Sequence, residues 1–141
     1  MGTVFPAFSG VMDLAFPLQR DVEPAYAALF APYLAMAAQE RLAIAYFDTA
    51  GTLLDLEVST AGRHDAVGFP VRQIVRTALG LEAAALMLAH NHPSGDPAPS
   101  AADRHMTRRL AAALRPLDIR LIDHLIFGGA VVMGFRARGL V

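Results

Sequence analysis

Cysteine, tryptophan and lysine are all missing from this chain of 141 residues. Without cysteine there is neither a disulfide framework nor a thiolate-held metal, so any bound ion must be held by His, Asp or Glu, and a cytoplasmic setting is the expectation. Charge is also scarce. Charged residues make up 18% of the chain, and 12 basic against 13 acidic side chains leave a formal net charge of -1. That balance gives no support to a disordered polyelectrolyte, a basic nucleic-acid arm or an acidic tail. A long apolar run is missing too. Mean hydropathy is +0.40, yet no uninterrupted apolar stretch is longer than Ala83 to Ala89, which falls far short of the ~20 residues that cross a bilayer. It reads as a buried strand. The first residues carry Asp13 and no basic segment, so neither a membrane span nor an export signal is expected.

What the chain does have is apolar mass. Hydrophobic residues are 55% of it, which suits one domain with a full core and leaves little room for two. Residues 1–20 read as an apolar extension ahead of a domain over 21–141. Phe5, Phe8, Val11, Leu14 and Phe16 of that extension need a cover, and a homodimer through this segment is one way to provide it.

Asp21 and Pro24 open a helical pattern that extends to Gln39, with Pro32 as a kink. Leu42 to Phe47 is apolar at successive positions, as in a strand buried on both faces, and Asp48-Thr49-Ala50-Gly51 turns it into a second strand near Leu53 to Ser59. A loop over 60–69 precedes a helix from about Pro70 to Leu79, ended by Gly80. The strand Ala83 to Ala89 runs into His90-Asn91-His92-Pro93-Ser94-Gly95-Asp96-Pro97-Ala98-Pro99, an ordered loop. Ser100 starts a helix to Leu114, and strands Ile119 to Phe127 and Ala130 to Phe135 are joined at Gly128-Gly129. The order predicts an α/β sandwich, a mixed sheet flanked by helices.

The chemistry gathers at the end of the third strand. His90 and His92 are two apart, so their imidazoles project to one side and can share an ion. Asp103, in the first turn of the next helix, can supply an oxygen. Two nitrogens and one oxygen with a fourth position open to water describe a catalytic zinc site. Each piece also has a purely structural reading: Ser100 and Asp103 as a helix cap, the two histidines as a polar strand end, Glu40 as a solvated acid closing the first helix. His64 and His105 have no ligand spacing to a partner. His124 reads as a strand residue that could support a ligand.

The run His90-x-His92-x7-Ser100-x2-Asp103 matches the JAMM (MPN+ or JAB) metallopeptidase signature without a gap. With Pro93-Ser94-Gly95-Asp96 and Asp123-His124-Leu125-Ile126 added, the chain resembles the RadC-like branch from about Asp21 onward. No counterpart of the helix-hairpin-helix segment of full-length RadC proteins is read here. The resemblance implies a single JAB/MPN (cytidine-deaminase-like) domain. It also implies Zn2+ on His90, His92 and Asp103, Glu40 as general base and Ser100 as an oxyanion donor. The chain departs from the branch at Gly62-Arg63, Val71-Arg72-Gln73 and Gly134-Phe135, all outside the metal set.

The implied reaction is hydrolysis of a peptide or isopeptide bond in a peptide or protein substrate by metal-activated water. Two rivals remain open. One is a DNA-associated repair module, for which Arg104, Arg108, Arg109 and Arg115, on or near one helix, could meet phosphates but the pI of about 6.5 is unfavourable. The other is a metal-bearing scaffold without turnover.

Overall fold

The computed structural model describes residues 24–60 and 71–141. Asp21, the extension 1–20 and residues 61–70, which hold His64 and most of the expected loop, lie outside them. The elements are α1 (Pro24–Leu34), β1 (Arg41–Phe47), β2 (Leu53–Thr60), α2 (Val71–Gly80), β3 (Ala85–Asn91), α3 (Ala101–Leu114), β4 (Arg120–Gly128) and β5 (Val131–Gly134). The strands form one sheet in the order β2-β1-β3-β4-β5. Only β3 and β4 run parallel; the other neighbours are antiparallel. A parallel pair needs a crossover, and α3 provides it.

Alternation along the central strands decides which side chain meets which helix. Ala43, Ala45 and Phe47 of β1 and Ala85, Met87 and Ala89 of β3 pack with Tyr26, Phe30 and Leu34 of α1. Those three α1 residues recur every four positions and so line one helix face. On the opposite face Leu42, Ile44 and Tyr46 join Leu86 and Leu88, covered by Ile74 and Ala78 of α2 and by Leu110 and Leu114 of α3. Both faces of β1 and β3 are buried, which is why these strands read as continuous apolar runs. The expected mixed sheet flanked by helices is the architecture found.

The main departures from expectation are at α1 and β3. α1 stops at Leu34 rather than near Gln39. Pro32 has no N–H for the Ala28 carbonyl, and the chain leaves the helix within a turn through Ala35 N–H to Ala31 O and Ala37 N–H to Leu34 O. β3 begins at Ala85 and continues through Asn91. Ala83 belongs instead to the close of α2, its N–H donating to Ala78 O at 2.9 Å, while His90 and Asn91 remain paired in the sheet. The hairpin is as expected: Asp48 Oδ1 accepts from the N–H groups of Ala50 and Thr52, both at 2.9 Å, and Gly51 takes φ +80°.

The loop after β3 is pressed onto the end of β4. A Cβ added at Gly128 would lie 2.5 Å from Pro97 N and 2.8 Å from Pro97 Cα. Because that neighbour is backbone, relief requires moving the loop. Gly128→Ala is therefore expected to lower stability by about 1–3 kcal/mol, read from urea unfolding. An unchanged midpoint would show that the loop is not held there.

Candidate metal centre

Leu86, Leu88 and His90 share one face of β3, the face turned to α3. His90 is consequently buried, with its side chain 5% exposed. His92 follows the last paired residue and is tied to β4 by its N–H to Phe127 O at 2.8 Å. Its Nδ1 lies 2.8 Å from the backbone carbonyl of Asp96. A carbonyl cannot donate, so Nδ1 carries the proton and Nε2 is the nitrogen that faces the site. The loop turns back through Gly95, at φ +87°, a conformation that favours glycine. Ala98 N–H donates to Asp96 Oδ1 at 2.9 Å and fixes the turn further.

The first turn of α3 delivers the carboxylate. Ser100 is the N-cap: its Oγ accepts from Asp103 N–H at 3.0 Å, and Asp103 Oδ2 accepts from Ser100 N–H at 2.8 Å. This reciprocal pair is the capping box that the residue spacing allows. The same carboxylate faces the histidines. Asp103 Oδ1 is 3.3 Å from His90 Nε2, and Oδ2 is 3.3 Å from His92 Nε2. The two Nε2 atoms are 2.9 Å apart. Cap and ligand are thus compatible roles of one side chain. Burial pushes the Asp103 carboxyl up, but hydrogen bonding and charge from His90, with the Ser100 N–H and hydroxyl, outweigh it and hold the group well below the usual carboxylate range.

Glu40 stands immediately before β1 and is exposed. Ligand atoms of Glu40, His90 and His92 lie within 4.8 Å of one another, a group that could hold a metal ion. The position of Glu40 is governed by Asn91. Lying between the two histidines, Asn91 points to the opposite face of β3, where it is buried. Its Oδ1 accepts from Arg41 N–H at 2.7 Å, and its Nδ2 donates to the carbonyls of Ala37 and Gln39 at 3.2 and 3.0 Å. The amide therefore clamps both sides of Glu40. Sequence reasoning did not single out Asn91, although the period of two already sends it toward the segment that carries Glu40.

Behind His90 lies a second group. His90 Nδ1 is 2.7 Å from His124 Nε2, and His124 Nδ1 is 2.7 Å from Thr107 Oγ1. His124 is fully buried and stacks on Phe135 at 4.5 Å. Burial, then the charges of His90, drive its pKa well below the ordinary value, so it is a neutral ring. It is a strand residue, as expected, in β4 beside His90. His105 is exposed on α3, as expected, and is not part of the cluster.

These nitrogen and oxygen atoms lie close enough together for one metal ion to be shared among them. All the residues of this cluster fall within 21–140, the span matched by the model of the RadC-like JAB domain family. The chain belongs to that family. Among RadC-like relatives, a UPF0758 protein of Vibrio atlanticus (strain LGP32) is 44% identical over 103 residues, covering 73% of this chain and 46% of the relative. The UPF0758 protein YfjY of Escherichia coli (strain K12) is 43% identical over 103 residues, 73% of this chain and 64% of its own length. YkfG of the same strain is 38% identical over 109 residues, 77% and 69% of the two chains. The chain spans about half the length of the first of these RadC-like relatives.

Two outcomes are expected from this geometry. Asn91→Ala removes three hydrogen bonds at about 1 kcal/mol each, so a loss of about 2–3 kcal/mol in urea unfolding is expected, and a loss below about 0.5 kcal/mol would contradict the clamp. In metal-free protein the folded pKa of Asp103 lies below its ordinary 3.8. The stability it contributes is then complete above that value and is lost as pH falls through the folded pKa. Asp103→Asn should flatten the acid limb of a stability-against-pH curve below ~pH 4; an unaltered limb would assign acid sensitivity elsewhere.

Proposed function

We propose that this domain is a zinc-dependent hydrolase that cleaves a peptide or isopeptide bond in a peptide or protein substrate. The observation that carries the reading is the convergence of His90 Nε2, His92 Nε2 and the Asp103 carboxylate, with Glu40 alongside. Of the two carboxylates, Asp103 is the better third ligand. It is anchored by the capping box and each of its oxygens faces a different histidine. Glu40 is exposed and held only through its backbone neighbours, which leaves its carboxylate free to take and return a proton.

Zinc held there supplies Lewis-acid activation of water near neutral pH and polarisation of a carbonyl. In the proposed reaction Glu40 accepts a proton from the attacking water and delivers it to the leaving amine. Ser100, whose backbone starts α3, offers its hydroxyl to the oxygen that gains charge. His90, His92 and Asp103 act by orientation alone. The peptide or isopeptide class comes from the likeness to JAMM metallopeptidases, and the printed names of the relatives state no activity. A DNA-associated role has less support: Arg104, Arg108, Arg109 and Arg115 are exposed, but the overall charge of -1 gives phosphate binding no general aid. Among the described residues no helix is long and apolar enough to cross a membrane.

Elemental analysis of untagged protein should find about one zinc per chain, lost in His92→Ala. Glu40→Gln should keep the metal and slow hydrolysis of any cleaved peptide or isopeptide by ~10²–10⁴-fold. Metal-free wild-type protein, or hydrolysis undiminished in Glu40→Gln, would overturn the proposal.

A further inference from the structure

The end of α3 remote from the metal centre borders an open cavity of about 420 Å³, a volume in the lower range of small-ligand pockets. Asp103 stands in the first turn of α3 and Arg115 at its C-cap; the helix has 14 residues, which puts roughly 20 Å between the two ends. The cavity walls are of two kinds. Ala111 of α3, Ile119 and Leu121 around the start of β4, and Val141 supply carbon. Arg115, Arg120 and Arg136 supply guanidinium groups, against the single carboxylate side chain of Asp118. None of these residues belongs to the histidine–Asp103 cluster or to the segment around Glu40.

Arg136 is the fixed member of the three. β5 pairs with β4 only from Leu125 to Gly128, so the start of β4 has no strand neighbour on that side. Arg136 fills the gap: its N–H donates to Asp123 Oδ1 at 2.9 Å, its Nε to Ile122 O at 2.7 Å, and its Nη2 reaches Leu121 O at 3.4 Å. A guanidinium has five N–H donors. With the Nε and Nη2 edge turned to β4, the other edge, Nη1 beside the second Nη2 proton, is left as a fork of the kind that grips phosphate. Arg115 and Arg120 are exposed. Helix-dipole complementation accounts for Arg115 alone, and covering of the β4 edge for Arg136 alone. Neither accounts for three guanidinium groups around one apolar-walled cavity.

We propose that this cavity binds a small organic phosphate monoester of mononucleotide size, with its phosphate among Arg115, Arg120 and Arg136 and its organic body on Ala111, Ile119 and Leu121. The surplus of cations selects an anion, and the number of elements that supply them selects its shape. A carboxylate offers two oxygens in one plane and suits one fork. A terminal phosphate offers three diverging oxygens and a charge of about −2, so guanidinium groups from α3, β4 and the turn Arg136–Arg138 can share it. A nucleic-acid phosphodiester carries about one charge per phosphate and continues in both directions, which calls for a basic track rather than a bounded cavity.

The full chain titrated with adenosine 5′-monophosphate in ¹H–¹⁵N spectra should show saturable shifts at the amides of residues 118–121 and of Arg136, with those of His90 and His92 unmoved. Adenosine should shift none of them, and inorganic phosphate should bind at least about 5-fold more weakly than the nucleotide. Arg115→Gln should weaken nucleotide binding about 10-fold while the urea midpoint stays near wild type. Arg136→Lys keeps the charge without the fork and should weaken binding about as much. No saturable shift at about 5 mM nucleotide would overturn the proposal, as would wild-type affinity in both variants. Inorganic phosphate binding as tightly as the nucleotide would overturn the place given to the organic body. Duplex DNA shifting the same amides at lower phosphate concentration would overturn the small-molecule assignment in favour of nucleic acid. None of these readouts depends on the zinc reading of the other end of α3.

Discussion

The end of β3 is a polar terminus inside an apolar sheet, and the surrounding structure depends on satisfying it. His90, Asn91, Thr107, Asp123 and His124 are buried among strands and helices that otherwise contribute carbon. Unpaired polar groups in such a place are destabilising by about 1–3 kcal/mol each, so each must find a partner before the fold can close. Among the described residues no buried side-chain nitrogen or oxygen lacks one. The means differ by face. Toward α1, Asn91 bonds to three backbone groups around Glu40. Toward α3, His90 bonds to His124, and His124 to Thr107. Asp123 accepts from the N–H groups of His124 and Arg136 and so closes the group on the β5 side.

This explains why stability and chemistry are hard to separate here. The Asp103 carboxylate caps α3 and faces two imidazoles. The Asp96 carbonyl turns the loop and holds the proton of His92 Nδ1. Asn91 ties the α1–β1 connection to the sheet and holds Glu40 near the histidines. In each case a group needed to finish a secondary-structure element also aims an atom at the cluster, so the site is preorganised by the same hydrogen bonds that complete the fold.

Much of this was legible beforehand, for identifiable reasons. Burial on both faces writes itself into β1 and β3 as unbroken apolar sequence, and turn chemistry marks Asp48 to Gly51, Ser100 and Gly128. The spacing of His90, His92 and Asp103 carried the cluster, and the family match of the chain agrees with the resemblance those residues suggested. What stayed hidden were interactions with backbone carbonyls remote in sequence. Asn91 meets Ala37 and Gln39, and His92 meets Asp96, through atoms every residue possesses, so no residue type announces them. Thr107 was equally silent: a threonine on a helix face next to leucines reads as packing until the imidazole beside it is known. The early end of α1, by contrast, had a visible cause in Pro32, which reads as a kink but acts as a stop.

The clamp between Asn91 and the chain around Glu40 joins segments 50 positions apart, from Arg41 to Asn91, whereas the histidines and Asp103 come from one strand, one loop and the first turn of the next helix. Closing the second set needs only a short loop; bringing in Glu40 requires α1 and β1 to dock on the finished centre of the sheet, with a larger loss of chain entropy. The two capacities of the site therefore belong to parts of different local stability. A local opening that freed α1 and the start of β1 would leave His90, His92 and Asp103 assembled and carry Glu40 away from them. Glu40 and the histidine–Asp103 cluster therefore differ in how far each depends on remote parts of the chain, and one asparagine amide spans that distance.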